Sequence, residues 1–148
     1  MKRKLHILLV EGSDADSVML RRVLSKHMAR PYAVTHVKNM SKAEEILASP
    51  KERIDVVLLD LDLPDVVSPE HIFARVKNIK EEIPVLVMTA TRDRELAANM
   101  VESCIEDFIP KPVIANTPDF LCNSIEFALY RRKCFIDLKN QKNWELKE

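Results

Sequence analysis

Five short apolar runs, each parted from the next by a longer segment patterned like a helix, constrain this chain more than anything else in it. The runs are Leu5 to Val10, Tyr32 to Val37, Ile54 to Leu59, Pro84 to Met88 and Glu106 to Ile109. Those at Leu5, Ile54 and Val85 are nearly unbroken in Ile, Leu and Val, as a strand covered on both faces requires. The second carries Thr35 and His36 and so suits an edge or near-edge position. Alternating strand and helix signals predict βαβ units built on one parallel sheet.

The intervening segments carry helix-start chemistry. Ser13 precedes Asp14 and Asp16, whose charges suit the positive end of a helix. Ser41-Lys42-Ala43-Glu44 has the spacing of a capping box. Ser68-Pro69 and Thr117-Pro118 each place a hydroxyl at the cap and a proline at the first helical position. Five β/α repeats result, within the 148 residues that one ordinary domain occupies. After Pro118 neither proline nor glycine interrupts the chain, which predicts a last helix of roughly 45 Å, longer than the sheet it covers. Residues 1–130 are expected to form the domain. Residues 131–148 are expected to be an extension: a solvated tail, or a coiled-coil linker to another copy or domain.

Composition narrows the function classes. Lys plus Arg and Asp plus Glu are both 23, so there is no electrostatic case for direct nucleic-acid binding or for an anionic membrane. No apolar run nears the roughly 20 residues that cross a bilayer. The three cysteines form no CxxC and suit reduced thiols in a cytoplasmic chain. The four histidines never recur at zinc-ligand spacing. With Gly12 the one glycine, no GxGxxG or Walker A loop exists.

In an open parallel sheet, functional groups gather beyond the carboxyl ends of the strands. Glu11, Asp60, Thr89 and Lys111 stand at or just past four of those ends, so they are expected to share one rim. A carboxylate that follows a buried strand is costly unless paired or employed. An Asp can attack phosphorus and become an aspartyl phosphate, a reaction that needs positioning and charge neutralisation above all. Glu11 and Asp60 could hold a hard cation such as Mg²⁺. Lys111 could meet phosphoryl oxygens as a point charge, and Thr89 as a hydroxyl donor.

At these residues the chain resembles the receiver domains of two-component response regulators. The stretches LLVEGSDAD, DVVLLDLDLPD, IPVLVMTA and DFIPKP stand in that family's order and at its intervals, from Leu5 to the early 120s. The resemblance implies a flavodoxin-like (βα)5 α/β fold, with a five-stranded parallel sheet of order 2-1-3-4-5, helices on both faces and an extended C-terminal helix. It implies Asp60 as phosphoacceptor, with Mg²⁺ on Glu11, Asp60 and the backbone carbonyl of Asp62. Thr89 and Lys111 would contact the phosphoryl group, and Thr89 and Phe108 would form the switch. The implied partner is a sensor histidine kinase or phosphotransfer protein. A homodimer through the fourth-repeat helix and fifth strand, or through the C-terminal helix, is also implied. Such a chain is a signalling domain rather than an enzyme, at most catalysing its own phosphorylation and dephosphorylation.

One departure matters. The family usually carries two adjacent acids after the first strand, and here the pair is Glu11-Gly12. A glycine offers no side-chain ligand, so water or Asp14 would have to substitute. The alternative is a phosphorylation-independent pseudo-receiver that serves as a dimerisation or docking module.

Overall fold

The computed structural model describes residues 3–147 apart from 77, 91–94, 96–97 and 99–104. Five strands, β1 (Leu5–Val10), β2 (Tyr32–Val37), β3 (Val56–Asp60), β4 (Val85–Thr89) and β5 (Asp107–Pro110), form one parallel sheet of order β2-β1-β3-β4-β5. This is the expected doubly wound arrangement. Because strand side chains alternate between faces, each run splits into two sets. Leu5, Ile7 and Leu9 join Leu58, Leu86 and Met88 in one core. Leu8 and Val10 join Val57, Leu59, Val85 and Val87 in the other. The unbroken hydrophobicity of β1, β3 and β4 follows from that two-sided burial. β2, flanked on one side only, has every residue half-buried.

Helices cover both faces. Helix α1 (Asp14–His27) starts where expected, with the Ser13 hydroxyl accepting the Asp16 amide hydrogen at 3.2 Å. Helix α3 (Pro69–Val76) starts behind Ser68, whose hydroxyl accepts from the His71 amide. Helix α2 (Met40–Ala48) corrects the capping-box expectation: Asn39 is the cap and accepts from the Lys42 amide at 2.8 Å. Ser41 lies inside the helix and donates its hydroxyl hydrogen to Asp65, while Glu44 pairs with Arg75 on α3. Asn39 wins because the Asp65 carboxylate also accepts from the Met40 and Ser41 amides, which satisfies the first turn two residues earlier.

Two helices follow β5: the short α4 (Lys111–Asn116) and the long α5 (Pro118–Lys147), unbroken across residue 130. Helix α5 seats Leu121, Cys122, Ile125 and Ala128 in the core that it shares with α1. Phe120, beside them in the sequence, is 42% exposed. The paired neighbours Leu121 and Cys122 fill the buried face one residue further round. The fourth-repeat helix expected between β4 and β5, with its dimer face, lies outside the described residues except for Glu95 and Ala98, which are helical. Among the described residues no helix is long and apolar enough to cross a membrane.

Candidate functional site

Strand register decides what meets at the carboxyl edge. Pairing Val10 with Val37 and Leu59 leaves Glu11 just beyond β1, level with Asp60 at the end of β3. Asp60 pairs with Met88, which places Thr89 one step further along β4, opposite Pro110 and next to Lys111. Four residues separated by up to a hundred positions are therefore neighbours on one rim. Glu11, Asp60, Thr89 and Lys111 are all buried. Buried charge of this kind persists only when it is paired or has work to do.

Lys111 is the hub. Its ammonium lies 2.9 Å from Glu11 Oε2, 3.2 Å from Asp60 Oδ1 and 2.7 Å from Asp16 Oδ2. Burial alone would lower its pKa, but Asp16, Glu11 and Asp60 outweigh it and hold the ammonium above the ordinary lysine range. One ammonium cannot balance three carboxylates. Glu11 shows the imbalance: burial, then the adjoining Asp60 carboxylate, push it up to about 7, although Lys111 and the Ser13 amide pull the other way. Its Oε1 accepts from Ser13 at 3.1 Å, and its carbonyl oxygen is 2.9 Å from the His36 ring.

The donor set suits a hard divalent cation. Glu11 Oε2 and Asp60 Oδ1 are buried and, although ion-paired, receive no well-aligned hydrogen bond. The Asp62 carbonyl oxygen lies 3.7 Å from where a Cβ on Gly12, the neighbour of Glu11, would stand. Two carboxylates and a carbonyl, completed by water, match the oxygen-rich octahedron of Mg²⁺. Asp14 does not join them. It is exposed and turned to Lys38 at 3.0 Å, which lowers its carboxyl. Beside this edge a cleft of about 720 Å³ is lined by Gly12, Asp62, Thr89 and Ala90 among others. Phe108 is half-buried on β5 and packs against the core on the α2 and α3 side.

Asp16 is the participant that the sequence reading passed over, treating it as a helix-start acid alone. The signal was present. Asp16 stands in the first turn of a helix that begins three residues past Glu11, which keeps its carboxylate near the rim and within 2.7 Å of Lys111.

A doubly wound α/β domain with a lysine-bridged acidic pocket at its carboxyl edge is the class that fold and site define. The family model described as the response regulator receiver domain matches residues 7–124. The chain belongs to that family. It is 29% identical over 125 residues to the two-component response regulator ORR3 of Oryza sativa subsp. indica, covering 81% of this chain and 89% of that one. Its fold matches a CheY-like response regulator receiver domain protein from Methanospirillum hungatei JF-1 with a TM-score of 0.71 at 19% identity, covering 88% of this chain and 98% of the other. A Mn²⁺-bound form of response regulator Rcp1 matches with a TM-score of 0.66 at 25% identity, covering 79% and 91%.

Proposed function

We propose that this receiver domain accepts a phosphoryl group on Asp60 from the phosphohistidine of a sensor kinase or phosphotransfer protein, and so works in a cytoplasmic two-component relay. The single observation that carries the reading is the Lys111 ammonium 3.2 Å from Asp60 Oδ1, both buried on the rim that also carries Thr89. An Asp60 carboxylate oxygen attacks phosphorus, the P–N bond breaks, and the imidazole leaves with the electron pair. Lys111 meets the phosphoryl oxygens as a fixed positive charge, and the Thr89 hydroxyl donates to another of them. Glu11, Asp60 and the Asp62 carbonyl would hold Mg²⁺, which supplies neutralisation of phosphoryl charge when bound.

Once the charge sits on Asp60, Thr89 moves towards it and Phe108 turns further inward. A local charge event thereby biases a two-state surface. Residues 1–130 make up this switch, and residues 131–148 extend its last helix. Exposure to acetyl phosphate with mass detection, on the wild type and on Asp60→Asn, tests the reading. A single phosphoryl adduct that Asp60→Asn abolishes is expected; an adduct that survives the substitution overturns the assignment. A second reading, the phosphorylation-independent docking module, rests on Gly12 and on the three-carboxylate hold upon Lys111. It predicts no adduct at all and no amide shift near Asp60 with beryllofluoride and Mg²⁺.

A further inference from the structure

The segment that joins β3 to α3 supplies the Asp62 carbonyl from a stretch that neither strand nor helix holds. Its start is fixed: the Leu61 amide donates to the Met88 carbonyl oxygen at 3.2 Å, and the Leu61 and Leu63 side chains are buried. Asp62 between them is exposed. A turn follows, Leu63-Pro64-Asp65-Val66, closed by the Val66 amide on the Leu63 carbonyl oxygen at 3.2 Å. Proline takes the place in it that turns favour. The Asp62 carbonyl shares a rigid peptide plane with the Leu63 nitrogen, so its direction follows the turn.

Asp65 ties that turn to the rest of the domain. Its Oδ1 accepts from the Met40 amide, and its Oδ2 from the Ser41 amide and the Ser41 hydroxyl, each at 2.9 Å. Burial alone would raise its pKa, but these donors outweigh it and hold the carboxyl below the usual range. Arg75 on α3 stands 4.0 Å from Oδ2 and also reaches Glu44 on α2. Among the described residues, Asp65 makes the side-chain hydrogen bonds that join residues 61–67 to another element. The tie connects two loops that meet at Gly12. Pro64 Cδ from one and the Lys38 carbonyl oxygen from the other stand 3.3 and 3.5 Å from where a Cβ on Gly12 would be.

We propose that Asp65 is a positioning residue for the metal: by fastening the turn of residues 63–66 to the first turn of α2, it aims the Asp62 carbonyl as a ligand. The proposal rests on the reading, given above, that Glu11, Asp60 and the Asp62 carbonyl hold Mg²⁺. Gly12 raises the stakes. With no side-chain oxygen at position 12, the carbonyl is one of few protein donors, and no neighbour makes good its misplacement. Partners that orient a metal ligand are typically worth about 10- to 100-fold in affinity.

Amide NMR of the full chain, titrated with MgCl₂, reads this at Leu63, whose nitrogen is bonded to the Asp62 carbonyl carbon. In the wild type the Leu63 signal should shift together with those of Glu11 and Asp60. Asp65→Ala should raise the half-saturating Mg²⁺ concentration at least tenfold. Asp65→Asn, which keeps one acceptor, should raise it less, by threefold or more, and carries the test if Asp65→Ala does not fold. The ratio to wild type should persist in 1 M NaCl, where the field of a surface charge is screened beyond about 3 Å. Asn39→Ala removes the other cap of α2 but leaves the turn tied, so its Mg²⁺ affinity should match the wild type. Without metal, hydrogen exchange at the Val66 amide should quicken in the Asp65 variants while the β3 amides stay unchanged. A wild type whose Glu11 and Asp60 signals ignore Mg²⁺ refutes the metal reading, and this proposal with it. Wild type and Asp65 variants that titrate alike, a ratio that vanishes in salt, an equal loss in Asn39→Ala, or unchanged Val66 exchange refutes the role of Asp65 alone.

Discussion

Gly12→Asp is the substitution that most directly interrogates the pocket. The backbone at Gly12 is not left-handed, and the added Cβ would come 3.3 Å from Pro64 Cδ, 3.5 Å from the Lys38 carbonyl oxygen and 3.7 Å from that of Asp62. Only the first contact is tight. Pro64 is exposed, so its ring can give by a few tenths of an ångström, at a cost of about 1 kcal/mol or less. The charge is the larger effect. A third carboxylate at ~5 Å from Glu11 or Asp60, at an effective dielectric of about 20, repels each by at most ~3 kcal/mol. Without metal the variant should therefore be less stable than Gly12→Ala, which adds the same Cβ and no charge. With Mg²⁺ the sign reverses, because the new oxygen stands beside the Asp62 carbonyl and adds attraction to the ion. If 1.4 kcal/mol or more of it survives, the affinity rises at least tenfold.

Calorimetric titration with MgCl₂ and urea unfolding in EDTA, on the wild type and both variants, check the two halves separately. A Gly12→Asp variant that binds Mg²⁺ no more tightly than Gly12→Ala would refute the reasoning, since position 12 would then not face the ion. Tighter metal binding together with a faster reaction with acetyl phosphate would show that the glycine throttles a working site. Tighter binding with no adduct would favour the docking-module reading.

The remaining predictions concern the lysine hub, its acids and one helix cap. Lys111→Met leaves two buried carboxylates facing each other. It should cost on the order of 3–5 kcal/mol in EDTA by urea unfolding, with part recovered on adding Mg²⁺; a loss below about 1 kcal/mol would mean the ammonium is not their counter-ion. Asp16→Asn releases Lys111 from a carboxylate that holds it at 2.7 Å and would compete with a phosphoryl group for it. Adduct formation from acetyl phosphate should quicken severalfold by mass spectrometry, and an unchanged rate would reduce Asp16 to a surface partner. Glu11, raised from 4.5 to about 7, keeps a proton in the native state that the unfolded chain has already lost between those values. Metal-free stability should therefore fall as pH rises through that window, by up to about 3 kcal/mol, and the fall should be missing from Glu11→Gln. Asn39→Ala should cost about 1 kcal/mol as a lost cap, with Ser41→Ala costing less; the reverse order would reinstate Ser41 as the cap.

Much of this was legible before any coordinates, for reasons that differ by residue. Strands β1, β3 and β4 declare themselves because two-sided burial leaves no room for polar residues, and β2 betrays its edge by Thr35 and His36. The convergence of Glu11, Asp60, Thr89 and Lys111 follows from topology alone: parallel strands that begin on one side of a domain must deliver their ends to the other. What escaped was set by partners distant in sequence. Ser41 and Glu44 make a sound local capping box, but Asp65 approaches from the loop after β3 and captures the Met40 and Ser41 amides, shifting the cap to Asn39. Asp16 looked local because its role depends on Lys111, 95 residues away.

These misses share a physical origin that bears on the pocket itself. Periodicity reports which face of an element is buried, but not which charge lies across a gap, because electrostatic partners need not recur at any spacing. The balance at the rim is therefore where the sequence says least and the structure most. Lys111 is shared among three acids, one of which, Asp16, stands outside the pair that would hold the metal. That sharing gives the loss of an acid at position 12 its meaning. An ordinary pair of acids would leave the pocket strongly negative and dependent on a divalent ion. With glycine at 12 the pocket is less negative than that and has less to gain from a divalent ion, whereas Asp16, which adds a carboxylate and draws on the lysine from the helix side, makes it more negative. On this argument Gly12 and Asp16 work in opposite directions. Gly12→Asp/Asp16→Asn should therefore depart from additivity in Mg²⁺ affinity, because the lysine released by the second change is the counter-ion that the new acid would recruit.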